Sequence, residues 1–264
     1  MIGKYIKIQG GLGNQLFQYA YGRSLELQGK KILFDTSFFH GNKPGIDTSR
    51  DFKLDKFQIG TVSRFENFSL KKKTLIDKIL GLLGFLKNEY YQNEKYFSHS
   101  SFFIRNEFRL KVPPSKNYNV FAKKITSVQC AVSLHIRRGD YINDQKTNVF
   151  HGACSPDYYT SAQRLILENI NDREVTFFIF SDEIAWVKNH MKFESSVSFV
   201  SSPELHDYEE LILMSKCKHN IIANSTFSWW GAWLNENPNK IVVAPKKWFA
   251  NSKKNICPKE WIRI

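Results

Sequence analysis

The sequence predicts an α/β protein whose C-terminal half is a parallel, doubly wound sheet. Strand-like apolar runs recur at 130–135, 175–180, 197–200, 219–223 and 240–244, with helical patterns between them at 157–170, 183–191, 206–216 and 226–236. Strands that alternate with helices are joined by crossovers and therefore pair in parallel. The chain also opens on a unit of the same kind. Residues 4–9 alternate as a strand, Gly10 to Gln15 form a glycine-rich turn, 16–27 carry a helical pattern and 31–35 read as a second strand.

Length and composition bound the organisation. A chain of 264 residues with 42% hydrophobic content can bury a substantial core, as one large or two small domains. We place the boundary between a 1–125 domain and a 126–264 domain, because Pro113-Pro114 breaks regular structure and a basic, helix-like piece at 119–126 reads as a linker. Residues 1–9 lack the apolar core of a signal peptide, and no apolar run approaches the roughly 18 residues that cross a bilayer. A cytoplasmic location is the expectation. Cys130, Cys154, Cys217 and Cys257 lie far apart without C-x-x-C spacing, a pattern that fits neither a zinc site nor a disulfide framework.

The charge is uneven. Residues 1–125 hold 22 Lys and Arg against 10 Asp and Glu, whereas 126–264 hold 16 against 15. A basic half invites nucleic acid, an anionic membrane surface or an acidic substrate, and equally serves as a solubilising surface. No nucleic-acid module is recognisable. The expectation is therefore no nucleic acid as partner, and peripheral contact with an anionic membrane at the inner face of the inner membrane. The leucine- and isoleucine-rich stretch at 74–87, flanked by lysines, suits either a membrane-surface helix or a core helix with basic ends.

The remaining elements follow in order. The glycine-rich turn is not a dinucleotide fingerprint, since Leu16 stands at the last glycine position, and no Lys-Ser/Thr follows to make a P-loop. Gly11 and Gly13 let a ligand approach the backbone closely, while Asn14 and Gln15 either cap the helix or bind hydroxyls. Both readings remain open. From 38 to 68 the chain reads as long loops, and the aromatic-rich 89–111 as short strands.

Three polar clusters fall at strand ends and should meet at one rim of the parallel sheet. They are His135-Ile136-Arg137-Arg138-Gly139-Asp140, Ser181-Asp182-Glu183, and Asn224-Ser225-Thr226. Arg137 and Arg138 suit a doubly charged anion such as a pyrophosphate, although an Arg-Arg-x-Asp turn is also a surface salt bridge. Asp182 accepts from a base's N–H pair, from ribose hydroxyls, or from the helix that it precedes. Ser225 and Thr226 start a helix, whose free amides cap locally and favour an anion. No D-x-D occurs and no Asp, Glu or His cluster has metal-ligand spacing, so a leaving pyrophosphate has to be neutralised by arginine and helix-terminal amides.

Gly10-Gly11-Leu12-Gly13-Asn14-Gln15, His135-Ile136-Arg137-Arg138-Gly139-Asp140-Tyr141, Phe180-Ser181-Asp182-Glu183 and Ser225-Thr226-Phe227-Ser228-Trp229-Trp230-Gly231-Ala232 together resemble the bacterial α-1,2-fucosyltransferases of glycosyltransferase family 11. The motifs run in the family's order from residue 9 to about 245, with Glu183 where an Asp is common. The resemblance implies a GT-B-like fold, with two Rossmann-like domains facing across a cleft. It implies GDP-β-L-fucose as donor, inversion at the anomeric carbon, no cofactor and no metal. The implied acceptor is the 2-hydroxyl of a galactoside, on a galactose-terminated oligosaccharide or a lipid-linked glycan in O-antigen synthesis. Residue by residue, Arg137 would bind the donor's β-phosphate with Arg138 beside it, and His135 and Asp182 would contact guanine. Ser225, Thr226 and Phe227 would hold the pyrophosphate end, with Gly11 and Gly13 on the donor side of the first domain. Asn14 would face the fucose or the acceptor. Asp140, Asp144 and His151 all stand as candidates for the general base, and Asp140 serves equally to orient Arg137 or Arg138. The rival readings are a GT-B enzyme using another nucleotide sugar, and a basic nucleic-acid-binding protein.

Overall fold

The computed structural model describes residues 4–40, 50–60, 64–66, 89–139, 152–170, 174–252 and 254–264. The chain forms two compact units, Met1–Val112 and Pro113–Ile264. The lysine-flanked stretch at 74–87 and the residues Asp140, Tyr141, Asp144 and His151 lie outside the described residues.

The first unit contains a parallel sheet of three strands in the order β1-β2-β3, formed by Lys4–Lys7, Ile32–Asp35 and Arg64–Glu66. Helix α1, Leu12–Leu27, crosses from β1 to β2. It starts four residues earlier than the apolar pattern suggests. Gly11 is its N-cap, and its carbonyl accepts from the amides of Asn14 and Gln15 at 3.0 and 3.1 Å. Gly13, Asn14 and Gln15 therefore occupy the first helical turn and not a loop.

Phe17 is completely buried against Phe97, and Tyr19 and Phe34 equally so where α1 meets its sheet. Gly22 allows that approach, since a β-carbon there would sit 2.4 Å from the Phe34 ring and 2.9 Å from Ile6. The strands expected in 89–111 are instead helical. Two 3₁₀ turns, Glu94–Tyr96 and Ser98–Ser100, lead into α2, Ser101–Glu107. Phe97, Ile104 and Phe108 are buried at helical spacing, and that burial outweighs the β propensity of the aromatics.

The second unit begins with α3, Lys116–Ser127. The segment read as a linker belongs here, and the boundary lies at 112/113 rather than 125/126. Its N-cap Ser115 donates from both its amide and its hydroxyl to the buried carboxylate of Glu209, at 2.6 and 3.2 Å. Then follow β4 (Cys130–Ile136), α4 (Pro156–Asn169), β5 (Val175–Ser181), α5 (Ile184–His190) and β6 (Ser196–Phe199). The rest comprises α6 (Asp207–Lys216), β7 (His219–Ile221), α7 (Thr226–Leu234), β8 (Val242–Ala244) and β9 (Ile262–Arg263).

The six strands are parallel in the order β6-β5-β4-β7-β8-β9. The chain winds outward from β4 in one direction, returns, and winds outward in the other. All seven residues of β4 are buried, as a strand covered by helices on both faces requires. The tryptophans of α7 are core. Trp229 and Trp230 are fully buried, and the Trp229 indole donates to the Ile256 carbonyl at 3.1 Å.

Gly22→Val forces a side chain into the Phe34 contact. We expect it to lower unfolding free energy by roughly 1–3 kcal/mol, the usual penalty for overpacking, read as a shift in the denaturant midpoint.

Candidate active site

Strand order fixes where the site lies. The winding reverses between β4 and β7, and in an open parallel sheet a ligand crevice forms past the strand ends at that reversal. His135 and Arg137 stand at the end of β4. Ser225, Thr226 and Phe227 lie just past β7, where α7 begins. The pairing of Leu134 with Ile221 sets these two groups side by side, and the His135 and Phe227 rings are 5.5 Å apart. Asp182 joins them from the other flank, because Ile136 pairs with Ser181. The three strand-end clusters thus converge on one rim.

His135 is 3% exposed, and its Nδ1 has no hydrogen-bond partner among the described residues. Burial, and then the charge of Arg137, lower its pKa to about 3, so the imidazole is neutral in all ordinary conditions. A buried, neutral ring with an unsatisfied nitrogen at a crevice is a hydrogen-bonding group in want of a ligand.

The two arginines have different surroundings. Arg137 pairs with Asp182, Nη1 to Oδ2, at 3.0 Å with both side chains a quarter exposed. Arg138 turns aside. Its Nε donates to Glu183 at 3.2 Å and its guanidinium lies 3.3 Å over the Trp186 ring, which in turn stacks on His190. That bracket orients the turn, so Arg137 is the arginine better placed for an incoming anion.

Asp182 is the knot of the turn. One carboxylate oxygen meets the Arg137 side chain and the other accepts from the Arg138 amide at 3.0 Å. A β-carbon on Gly139 would stand 2.6 Å from Oδ2, so only glycine lets the carboxylate come so close. A carboxylate has further lone pairs, so these contacts leave it able to accept from a ligand.

Across the helix start, the Ser225 hydroxyl accepts from the Phe227 amide at 3.3 Å, which makes Ser225 the N-cap of α7. Thr226 opens the first turn, where unpaired amides and the helix dipole favour negative charge. Asn224 is structural: its amide donates to the Gly152 and Trp248 carbonyls at 2.8 and 3.3 Å.

In the first unit, Gly11 leaves open space where a side chain would be, and Asn14 accepts from Gln92 at 2.8 Å. No group of three or more His, Cys, Asp or Glu with metal-binding geometry occurs among the described residues. Among those residues, no helix is long and apolar enough to cross a membrane.

The family model for glycosyl transferase family 11 matches residues 50–264. The chain belongs to that family. Its relatives include the O-antigen biosynthesis glycosyltransferase WbnK of Escherichia coli, 33% identical over 98% of this chain and 100% of that protein. An α-1,2-colitosyltransferase of the same organism is also 33% identical, over 98% of this chain and 97% of its own. A galactoside 2-α-L-fucosyltransferase of Caenorhabditis elegans is 26% identical over 59% of this chain and 44% of its own length. Among solved structures, NodZ α-1,6-fucosyltransferase soaked with GDP-fucose superposes with a TM-score of 0.53 at 10% identity, covering 88% of this chain and 93% of that one. The family 11 chain is a glycosyltransferase with a GT-B-like α/β fold.

Sequence reasoning missed Glu210, on the first turns of α6. It hydrogen-bonds Ser201 and lies near Asp182 and Asp207; burial first, then those two charges, push its carboxyl up to about 8. The signal that could have found it is its place at the start of the helix after β6, on the same rim. A native carboxyl that holds its proton to about pH 8, against 4.5 for the ordinary group, costs stability progressively across that window and nothing further above it. Glu210→Gln removes that titration. Its thermal midpoint should gain on the wild type from pH 5 to 8 and keep a constant lead at higher pH, at no more than about 1.4 kcal/mol per pH unit.

Proposed function

We propose that this chain is an inverting transferase that moves L-fucose from GDP-β-L-fucose to the 2-hydroxyl of a galactoside in the synthesis of a bacterial O-antigen. The observation that carries the reading is the placing of the unsatisfied His135 beside the N-terminus of α7 at the reversal between β4 and β7, with Arg137 two residues on at the same strand end. A basic side chain and helix amides together suit the pyrophosphate of a nucleotide sugar. The kinship with O-antigen and galactoside 2-fucosyl transferases supplies the sugar chemistry.

In this reading the acceptor oxygen attacks the anomeric carbon from the face opposite GDP. The bond from that carbon to the β-phosphate oxygen breaks and its electron pair leaves with the phosphate. Arg137 and the free amides of the first turn of α7, near Thr226, stabilise the charge that develops there. His135 and Asp182 hold the guanine, with Glu210 beside them as a protonated carboxyl able to donate. Gly11, Gly13 and Asn14 are the first unit's own candidates for binding a sugar substrate. The hydroxyl proton passes to a base within 140–151, where Asp140, Asp144 and His151 stand in the sequence. A guanidinium supplies the positive charge that a divalent ion would otherwise bring, so transfer needs no metal and should persist in EDTA. The basic first unit suits an acceptor carried on a lipid at an anionic membrane.

A second reading is favoured by one finding, the 33% identity with a colitosyltransferase. Colitose is fucose without its 3-hydroxyl, so GDP-colitose presents the same nucleotide and nearly the same ring. Rates of GDP release from GDP-fucose and GDP-colitose, with UDP-sugars as controls, separate the two. Faster turnover of GDP-fucose with galactosides supports the first reading, and release from UDP-sugars alone refutes both.

Arg137→Ala should lower kcat by about 10²–10³, the scale for losing one preorganised charge-stabilising donor, with the circular dichroism spectrum unchanged. Near-normal turnover would show that Arg137 does not carry the leaving group.

A further inference from the structure

The two amides of the first helical turn meet different fates. Gln15 is consumed by the fold: its Nε2 donates to the Gly10 and Asp51 carbonyls at 3.0 and 2.8 Å, and its Oε1 accepts from the Lys53 amide at 3.0 Å. It ties the loop around residue 51 to the helix. Among the described residues the Asn14 side chain takes one partner, the Gln92 side chain, whose Nε2 donates to its Oδ1 at 2.8 Å.

That one bond fixes which way the Asn14 amide faces. With Oδ1 turned to Gln92, Nδ2 lies over Gly10, where a β-carbon would come within 2.9 Å of it. Gly10 has φ +79, a conformation that glycine tolerates and other residues rarely adopt. Beside it, a β-carbon on Gly11 would meet nothing within 4 Å. The donor nitrogen of Asn14 therefore packs over Gly10 in space that a side chain there would take, with open space at the neighbouring Gly11.

Gln92 is itself aimed by strain. Tyr91, the residue before it, has φ +50, the only positive φ at a non-glycine among the described residues. The turn is tight, with the Asn93 amide donating to the Tyr91 carbonyl at 2.8 Å. Tyr91 is held there by stacking on Tyr21 of α1 at 4.0 Å and by the edge of Tyr96 at 5.8 Å. A bulky side chain in the left-handed region persists only where its surroundings impose it, and such residues cluster at functional sites.

We propose that Gln92 is a positioning residue for sugar transfer, holding Asn14 so that its Nδ2, lying over Gly10, is offered to an oxygen of the sugar substrates. The proposal rests on the reading that Asn14 contacts those sugars, and it extends the machinery to a residue outside every motif of the sequence. Gln92 acts through Asn14 and touches no substrate.

The test compares wild type with Gln92→Ala, the isosteric Gln92→Glu, Asn14→Ala, and the double variant Asn14→Ala/Gln92→Ala. Each is measured for kcat and KM with the donor and acceptor found in the nucleotide-sugar panel, for GDP affinity, and for thermal midpoint. Gln92→Ala should lower kcat about tenfold or more, the scale of a misplaced reacting group, with GDP affinity and thermal midpoint unchanged. Gln92→Glu cannot donate and draws the Asn14 amide round to offer its nitrogen inward, so it should be no better than alanine. In the Asn14→Ala background, Gln92→Ala should change nothing further. The proposal is overturned by wild-type kcat in either single variant at position 92, or by a further loss in the double variant. Full activity of Asn14→Ala also overturns it, since Gln92 would then have nothing to act through. The donor-site reading stands or falls separately, on Arg137→Ala.

Discussion

The second unit is organised by a strand that water never reaches. β4 is buried along its whole length, which demands neighbours on both edges and helices on both faces. Its neighbours are β5 on one side and β7 on the other, and these belong to the two opposite windings of the sheet. The crevice between the windings cannot lie anywhere but at the end of β4. The motif that follows β4 therefore inherits its position from apolar packing, before any chemistry is considered.

Around that crevice the polar groups are arranged so that each constrains another. Asp182 holds the side chain of Arg137 and the backbone of Arg138 at once, and Gly139 makes room for it. Arg138 is fixed between Glu183 and Trp186. His135 is kept neutral by burial and by Arg137. Preorganisation of this sort means that the groups need not reorient when charge develops on a leaving phosphate. The unsatisfied nitrogen of His135 is the local cost of holding a site ready for a ligand.

Much of this was legible in the sequence, and the failures have physical reasons. The strands and helices after residue 126 fall within a few residues of their expected ends, because long apolar runs and amphipathic helices leave little ambiguity. The three polar clusters could be placed on one rim from parallel topology alone. In the first half, α1 was read as starting late because glycines in a first helical turn look like a loop. The aromatic-rich 89–111 was read as strands because its helical burial emerges only from tertiary contacts. β3 is three residues long and carries no period. Glu210, Trp186 and Gln92 escaped for one shared reason: each is tied to a candidate site residue distant in sequence, Asp182, Arg138 and Asn14 respectively. Strand order and a strained turn create those neighbours, and neither is written in a local pattern.

The balance of charge in the rim has a consequence for how the enzyme meets its substrates. Two guanidiniums are matched there by the carboxylates of Asp182 and Glu183, each pair near 3 Å. Opposite charges so close look like a small dipole from a Debye length away, and salt leaves little of it. An anion that entered this rim would thus be held at contact range, by geometry, and would gain little long-range guidance from these pairs. The far field of the protein comes instead from the lysines and arginines in excess over its first 125 residues. Close-range charge pairing and the long-range positive field thereby arise from different parts of the chain.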